Sequence, residues 1–282
     1  MNEKTYPYLV KNYTDYLKLL NSYNKLGELD LSKYDWIPIS ELLLLRDIII
    51  KAKENKVYVE PKNNDVNGYI NYITKERVLE KGKPTNEGQN YLQFTRVNET
   101  NQNTISSIIV QNLGNNLTEE SKTGLRYCID ELLDNVIEHS NYKNSYIMMQ
   151  NYPSKKKLEF AVLDDGISIP GNFRNHKIEF DKDVDSLVMA LNGTSTKNEG
   201  NNERGYGLRT SFNLLIKGMK GEGVIISGNG VLSIQFIENI QNKKIIPFNY
   251  GEDSNKTYLF RGCYIAFRVR TDLSTDLYQY IE

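Results

Sequence analysis

The chain has 282 residues, of which 39% are hydrophobic, and this is sufficient for a sizeable core in one large domain or two modest ones. Its 35 basic and 36 acidic residues nearly cancel, so no global charge attracts it to nucleic acid or to an anionic membrane. No apolar run approaches the roughly 20 residues that a membrane helix needs.

The N-terminal part predicts elements in the order strand, helix, strand, helix. Its opening, MNEKTYPYLVKNY, lacks the apolar segment of a secretory signal, so we expect a cytoplasmic protein. GELDLSKYDWI predicts a strand over 27–37, SELLLLRDIIIKAKE a largely buried helix, KVYVEP a second strand, and NGYINYITKERVLEK a further helical segment. Ser40, which follows Pro38 closely, is predicted to cap the first of these helices.

A polar stretch rich in turn-forming residues, from about Lys81 to Asn103, predicts a domain boundary. We therefore divide the chain into domains 1–88 and 89–282. The second domain predicts helices in ISSIIVQNL and TEESKTGLRYCIDELLDNVIEHS, and strands in NSYIMMQNY, KLEFAVLDDG, GVIISGN, VLSIQFI and RGCYIAFRV. Antiparallel strands with helices on one face predict an α/β fold, a two-layer sandwich.

Cysteine usage gives no sign of a metal centre. Cys128 and Cys263 are the only cysteines, and with two isolated histidines they show no zinc-binding spacing. Each cysteine lies in an apolar context, which favours a buried thiol over a catalytic one.

ELLDNVIEHS places an acid, Glu131, one helical turn before an amide, Asn135. At about 100° per residue these two side chains share a face that differs from the apolar stripe of the same helix. Alone, the pair is typical of the solvated face of any amphipathic helix. An amide oxygen is nevertheless a suitable ligand for Mg²⁺, and a carboxylate one turn away can act as a general base.

Two later segments carry further candidate residues. EFAVLDDGISIP is an apolar strand that ends at Asp164, and a carboxylate there can accept a hydrogen bond from the exocyclic amine of adenine. The alternative is an ordinary Asp-Gly turn. NGTSTKNEGNNERGYGLRTSFNLL ends in a helix whose start carries two glycines, which can expose backbone N–H groups to an anion. Its alternative is a flexible loop with a glycine-eased helix entry.

ExxxN, DxGxxIP and GxGL, in this order, resemble the GHKL superfamily of gyrase-type topoisomerases, heat-shock chaperones, mismatch-repair ATPases, histidine kinases and anti-sigma-factor kinases. The resemblance covers roughly 106–270, and it implies a Bergerat-type fold that binds ATP and Mg²⁺. Glu131 would then be the general base and Asn135 the Mg²⁺ ligand, with Asp164 against adenine. The remaining nucleotide contacts that the resemblance implies are Gly166, Ile169, Thr194, Ser195, Thr196, Lys197, Gly205, Tyr206, Gly207, Leu208 and Arg209.

Three positions depart from the pattern of that superfamily. Ser168 stands where a glycine is frequent, Gly262-Cys263 stands where Gly-Thr is frequent, and Arg209 follows GxGL where another glycine is frequent. Arg209 could contact a phosphate or point into solvent. A mobile lid over 193–204 is also expected from the resemblance.

The N-terminal segment LDLSKYDWIPISELLLLRDIIIKAKENKVYVEP resembles a STAS-type domain, the fold of anti-sigma-factor antagonists. Those antagonists carry a phosphorylatable serine just before the helix, where this chain has Ile39. The domain is therefore expected to dock or sense, and not to accept phosphate.

The predicted function is a Mg²⁺-dependent, ATP-hydrolysing switch that couples nucleotide state to partner binding. Two alternatives remain open, a protein kinase acting on a STAS-like partner and a module that binds nucleotide without turnover. A histidine kinase is disfavoured because neither His139 nor His176 lies in a helix upstream of the ATP domain. The expected partners are ATP or ADP and a protein, with a homodimer left open and neither membrane nor nucleic acid expected.

Overall fold

The computed structural model describes residues 6–77, 79, 90–113, 117–139, 144–194, 207–249, 259–276 and 279–280. The helices are α1 Tyr8–Leu26, α2 Ile39–Glu54, α3 Asn64–Ile73, α4 Gln102–Gln111, α5 Glu119–His139, α6 Ile169–Asn175, α7 Asp183–Leu191 and α8 Gly207–Asn213. The strands are β1 Leu29–Asp30, β2 Tyr58–Val59, β3 Tyr91–Arg96, β4 Ser145–Tyr152, β5 Lys157–Asp164, β6 Glu222–Gly228, β7 Gly230–Ile237, β8 Asn242–Asn249 and β9 Phe260–Arg270.

Seven of the strands form one antiparallel sheet in the order β3-β4-β5-β9-β6-β7-β8. This confirms the predicted mixed α/β class with an antiparallel sheet, and the predicted strands coincide with β4, β5, β6, β7 and β9. The pattern does not predict β3 or β8. Strand β8 is an edge strand that carries Pro247 and two lysines, and its residues are exposed or half-buried. An edge strand is where proline is tolerated in a sheet.

One face of the sheet packs against α4, α5, α7 and α8 around a continuous apolar core. Helix α5 has the core stripe that its periodicity predicts, since Leu125, Ile129, Leu132 and Val136 are all buried. Val162 of β5 points to this same core. Side chains alternate along a strand, so Asp164, two residues further on, points to the same face as Val162.

The other face of the sheet is covered by the N-terminal helices. Helix α2 packs on β4 and β5, and α1 packs on β6 and β9. Ala161, Tyr264 and Ala266 of the sheet share one core with Leu42 and Leu45 of α2. Regions 1–88 and 89–282 thus contribute to a common core, and the sheet becomes the middle layer between two layers of helix.

The N-terminal strand, helix, strand, helix order is confirmed in β1, α2, β2 and α3, although both strands are only two residues long and pair in parallel. Helix α1 precedes them and the pattern does not predict it. Pro7 at its N-cap makes no side-chain hydrogen bond, and lysines, asparagines and Asp15 interrupt its apolar residues. Among the described residues, no helix is both long and apolar enough to cross a membrane.

Ser40 is not the cap of α2, and that prediction is wrong. The helix begins at Ile39, directly after Pro38, because the fixed φ of proline sets up the helix entry one residue earlier. Ser40 is buried inside the first turn. Its hydroxyl accepts from Asn12 Nδ2 at 2.9 Å, its N–H donates to Glu159 Oε1 at 3.1 Å, and its carbonyl accepts from Tyr264 Oη at 2.6 Å.

The buried carboxyl group of Glu41 in α2 should make the stability of the protein depend on pH. The Glu41 side chain is 3% exposed, Oε1 has no hydrogen-bond partner in the described part of the chain, and burial, reinforced by the charge of Asp15, raises its pKa to about 8. The folded state therefore holds a proton that the unfolded chain releases near pH 4.5, so this residue's contribution to stability is lost as the pH rises from about 4.5 to 8.

Glu41→Gln, which mimics the protonated acid, should raise the free energy of unfolding at pH 8 by roughly 1–3 kcal/mol and change it little at pH 4.5. Urea denaturation at both pH values measures the difference. Glu54→Gln, on an exposed position of the same helix, is the matched control. An equal effect at the two pH values would contradict the prediction.

Candidate functional site

Glu131 on α5 packs directly against Gly207, the first residue of α8. A Cβ added to Gly207 would lie 1.8 Å from Glu131 Oε2 and 2.6 Å from its Cδ, so any side chain here would force the end of Glu131 to move. Helix α8 packs along α5 in the same core. The structure therefore brings the first and third sequence motifs into contact, and Glu131 is half-buried between two helices.

Tyr127 lies one turn before Glu131 and belongs to the same cluster. Burial, together with the negative charge of Glu131 and a hydrogen bond to it, raises the pKa of the Tyr127 hydroxyl to about 12. The hydroxyl stays protonated and can hold the carboxylate in position. The i, i+4 spacing of the two residues is the signal that could identify Tyr127 from the sequence.

Asn135 lies one turn after Glu131 and is also half-buried. Within the described ranges, no group of three or more His, Cys, Asp or Glu side chains could hold a metal ion. Mg²⁺ is commonly bound by one or two protein oxygens together with the phosphates of a nucleotide. Asn135 can supply one such oxygen.

Asp164 belongs to a polar row that crosses four adjacent strands at the end of the core face. Ser145 pairs with Asp164, Asp164 with Cys263, and Cys263 with Ser227. The aspartate and both serines are at most 1% exposed. Below this row the same face of the sheet is apolar, so the row forms a confined polar strip at the edge of the core.

The Asp164 carboxylate closes the turn that follows β5, as the Asp-Gly alternative predicts. Oδ1 accepts from the Gly166 N–H at 2.9 Å. Burial raises the pKa of Asp164 to about 7, while the backbone N–H groups of Gly166 and Cys263 lower it. A buried acid with a pKa shifted in this way is typical of a functional site, although structural networks also produce such shifts.

The start of α6 is tied to the same polar row. The Ile169 N–H donates to Ser227 Oγ at 2.9 Å, and Ser227 Oγ donates to the Gly262 carbonyl at 2.6 Å. Ser168, which departs from the superfamily pattern, caps α6 by accepting from the Gly171 N–H at 3.2 Å. The serine therefore has a structural role that glycine could not supply.

Neither thiol has the setting of a nucleophile. Burial raises the pKa of Cys128 to about 12. Burial and the charge of Asp164 raise the pKa of Cys263 well above its usual value. Both thiols remain protonated at neutral pH, and the protonated form is neither nucleophilic nor metal-binding.

The third motif is only partly described. Thr194 follows α7 and its N–H donates to the Met189 carbonyl at 3.0 Å. Leu208 packs against the core, and Arg209 is half-buried. The other predicted residues of this motif lie outside the described residues, and these are Ser195, Thr196, Lys197, Gly205 and Tyr206.

Glu131 thus lies against Gly207, with Asn135 one turn away on α5, and Asp164 is buried on the face of the sheet that α5 covers. No protein-family model, curated protein or solved structure matches this chain. Functional proposals therefore depend on the chemistry of these groups.

Gly207→Ala should destabilise the protein by roughly 0.5–1.5 kcal/mol, because the new methyl group forces the end of the Glu131 side chain out of its position and into another rotamer. In a Glu131→Ala background the obstruction is gone, and the same substitution should be neutral or stabilising by about 0.5–1 kcal/mol. A double-mutant cycle by urea denaturation measures this coupling. Gly68→Ala, in α3 with no atom within 4 Å of the new Cβ, is the control, and additive effects would contradict the contact.

Gly262→Ala tests how tightly β9 closes on Asp164. Gly262 has φ +81°, and a Cβ there would lie 2.1 Å from the Asp164 backbone oxygen, whereas Gly27 has φ +74° and no atom within 4 Å. Gly27→Ala should cost about 1 kcal/mol for its left-handed backbone alone. Gly262→Ala should cost roughly a further 1–3 kcal/mol through the backbone clash. Equal losses in thermal unfolding would contradict the close approach.

Proposed function

We propose that this chain is a GHKL-type protein that binds ATP with Mg²⁺, hydrolyses it, and uses the nucleotide state to control a protein partner. The observation that supports this proposal most strongly is the contact of Glu131 with Gly207, which joins an acid on one helix to the glycine start of another. An antiparallel sheet covered by these helices is compatible with a Bergerat-type fold.

Each proposed role follows from the chemistry of the residue. Glu131, held by Tyr127 and half-buried, would accept a proton from the attacking water. Asn135 would hold Mg²⁺ through its amide oxygen, and the ion would neutralise phosphate charge when bound. Gly207, with no side chain and a backbone N–H at a helix start, would receive phosphate oxygens.

The adenine would lie at the polar row. Asp164 would accept a hydrogen bond from the exocyclic amine of the base, a group that guanine lacks at the matching position. Gly166 would border the ring, and Ile169, which packs at the edge of the same core, would supply an apolar contact. The 193–204 segment, in which only Gly193 and Thr194 are described, would remain the lid over the phosphates.

Strand β5 offers a physical route from this site to the N-terminal helices. Asp164 at its end faces the α5 layer, and Glu159, on the opposite face of the same strand, accepts from the Ser40 N–H in α2. A shift in the position of β5 on nucleotide binding would therefore alter its contacts with both α5 and α2. The proposed partner surface is therefore the N-terminal region, in keeping with its predicted docking or sensing role.

Calorimetry with a non-hydrolysable ATP analogue and Mg²⁺, followed by phosphate release from labelled ATP, tests the proposal. Glu131→Gln, which keeps its shape against Gly207, should abolish release and spare binding. Asp164→Asn should lower the selectivity for adenine over guanine nucleotides by roughly 1–3 kcal/mol. Glu120→Gln, on an exposed position in the first turn of α5, is the control.

The outcomes separate the alternatives. Absence of binding heat would contradict the proposal as a whole. Transfer of the label to another protein would favour a protein kinase. Binding without release or transfer would leave a passive nucleotide-binding module.

A further inference from the structure

A second cleft lies at the other end of the strands, on the face that α1 covers. It encloses about 350 Å³, and the lining residues that matter here are Tyr8, Lys157, Lys220, Glu222, Phe236 and Arg268. Lys157 begins β5 and Asp164 ends it, so this cleft and the proposed nucleotide site are separated by the length of the strand. The chemistry of the cleft is therefore independent of the proposed ATP binding.

Arg268 is one of the residues that line the cleft. Its guanidinium lies over the Tyr8 ring at 3.7 Å, and its Nε is buried with no hydrogen-bond partner in the described part of the chain. Among the described residues, neither Arg268 nor Lys157 has a carboxylate within 4 Å. Arg268 as a whole is half-buried, so only its Nε is withdrawn from solvent without an acceptor. A donor in that position is costly, and the planar fork of the guanidinium fits a bidentate anion.

The acids near Arg268 are engaged elsewhere. Glu222 Oε1 accepts from the Leu9 N–H at 2.9 Å and so caps the first turn of α1. Glu159 Oε1 accepts from the Ser40 N–H in α2. Burial raises the pKa of both carboxyl groups, while the charge of Arg268 lowers it.

The lysines add positive charge that is only partly balanced. Burial, followed by the charges of Arg268 and Arg270, lowers the pKa of Lys157. Lys220 Nζ is 3.6 Å from Glu238 on the rim and 5.4 Å from the centre of the Phe236 ring. The described lining thus places three cations around one inner acid, Glu222, which is already used as a helix cap.

We propose that this cleft binds a small molecule carrying a phosphate group, which Arg268, Lys157 and Lys220 would contact. Phosphate is favoured because a guanidinium fork and two ammonium groups match its several oxygens and its double charge. Phe236 and Tyr8 provide an aromatic border for an organic portion of the ligand. Because Tyr8 begins α1, the bound molecule would strengthen the attachment of that helix to the sheet.

Isothermal titration of the full chain with inorganic phosphate, phenyl phosphate and succinate, at constant ionic strength, tests the proposal. We expect heat with the phosphate compounds and weaker binding of succinate. Lys157→Gln should weaken phosphate binding by about tenfold, equivalent to roughly 1.4 kcal/mol. The matched control is Lys156→Gln, at the neighbouring exposed lysine, whose side chain is 68% exposed, and it should bind as the native chain does.

Arg268→Lys provides a second variant, since it keeps the charge and removes the fork. It should bind phosphate more weakly than the native chain, and hydrogen exchange should show that phosphate no longer protects the Leu9 amide as strongly. Tighter binding of phenyl phosphate than of inorganic phosphate would support an organic phosphate as the ligand, and equal binding would support free phosphate. Absence of heat with both, or equal weakening by Lys156→Gln and Lys157→Gln, would overturn the proposal.

Discussion

The structure depends on the burial of both faces of its central strands. Strand β5 pairs with β4 and β9 and is covered by α5 on one side and α2 on the other. Such a strand has no solvated face on which a polar side chain can be placed without a partner. Its two acids, Glu159 and Asp164, are therefore each held by backbone N–H groups, from Ser40 on one face and from Gly166 on the other.

That constraint connects regions of the chain that are far apart in sequence. Ser40 is bound by α1 through Asn12, by β5 through Glu159 and by β9 through Tyr264. With its hydroxyl and backbone enclosed in this way, the serine is inaccessible to a modifying enzyme in the folded state. The N-terminal region is attached to the sheet by specific polar contacts as well as by apolar packing.

Local periodicity predicts those helices and strands whose apolar residues recur at the spacing of the element. The core stripe of α5 and the strands β4, β5, β6, β7 and β9 follow directly from spacing. Helix α1 also has an apolar stripe, since Val10, Tyr13 and Leu17 are buried at helical spacing, but its many lysines, asparagines and tyrosines obscure that stripe in the sequence. The packing of the N-terminal helices on the second face of the sheet depends on contacts between residues that are far apart in sequence. Because both faces of β5 are buried, its sequence shows no clear alternation of apolar and polar residues.

In the candidate site, too, local spacing predicts some features, whereas others depend on tertiary packing. The spacing of Glu131 and Asn135 predicts a shared helical face, but the contact of Glu131 with Gly207 arises only when α8 packs on α5. The row formed by Ser145, Cys263 and Ser227 beside Asp164 depends on strand register, which no local pattern specifies. Cys128, by contrast, is buried as its apolar context predicts.

The margins of the sheet have a consequence for self-association. An open edge strand can recruit an unpaired strand of another molecule, but proline and lysine on that edge oppose such addition. Strand β8 carries Pro247, Lys243 and Lys244, whereas the opposite margin, β3, forms a bridge from Thr95 to Arg77. Strand addition is thus opposed by composition at β8, while at β3 the chain itself occupies the position of Thr95.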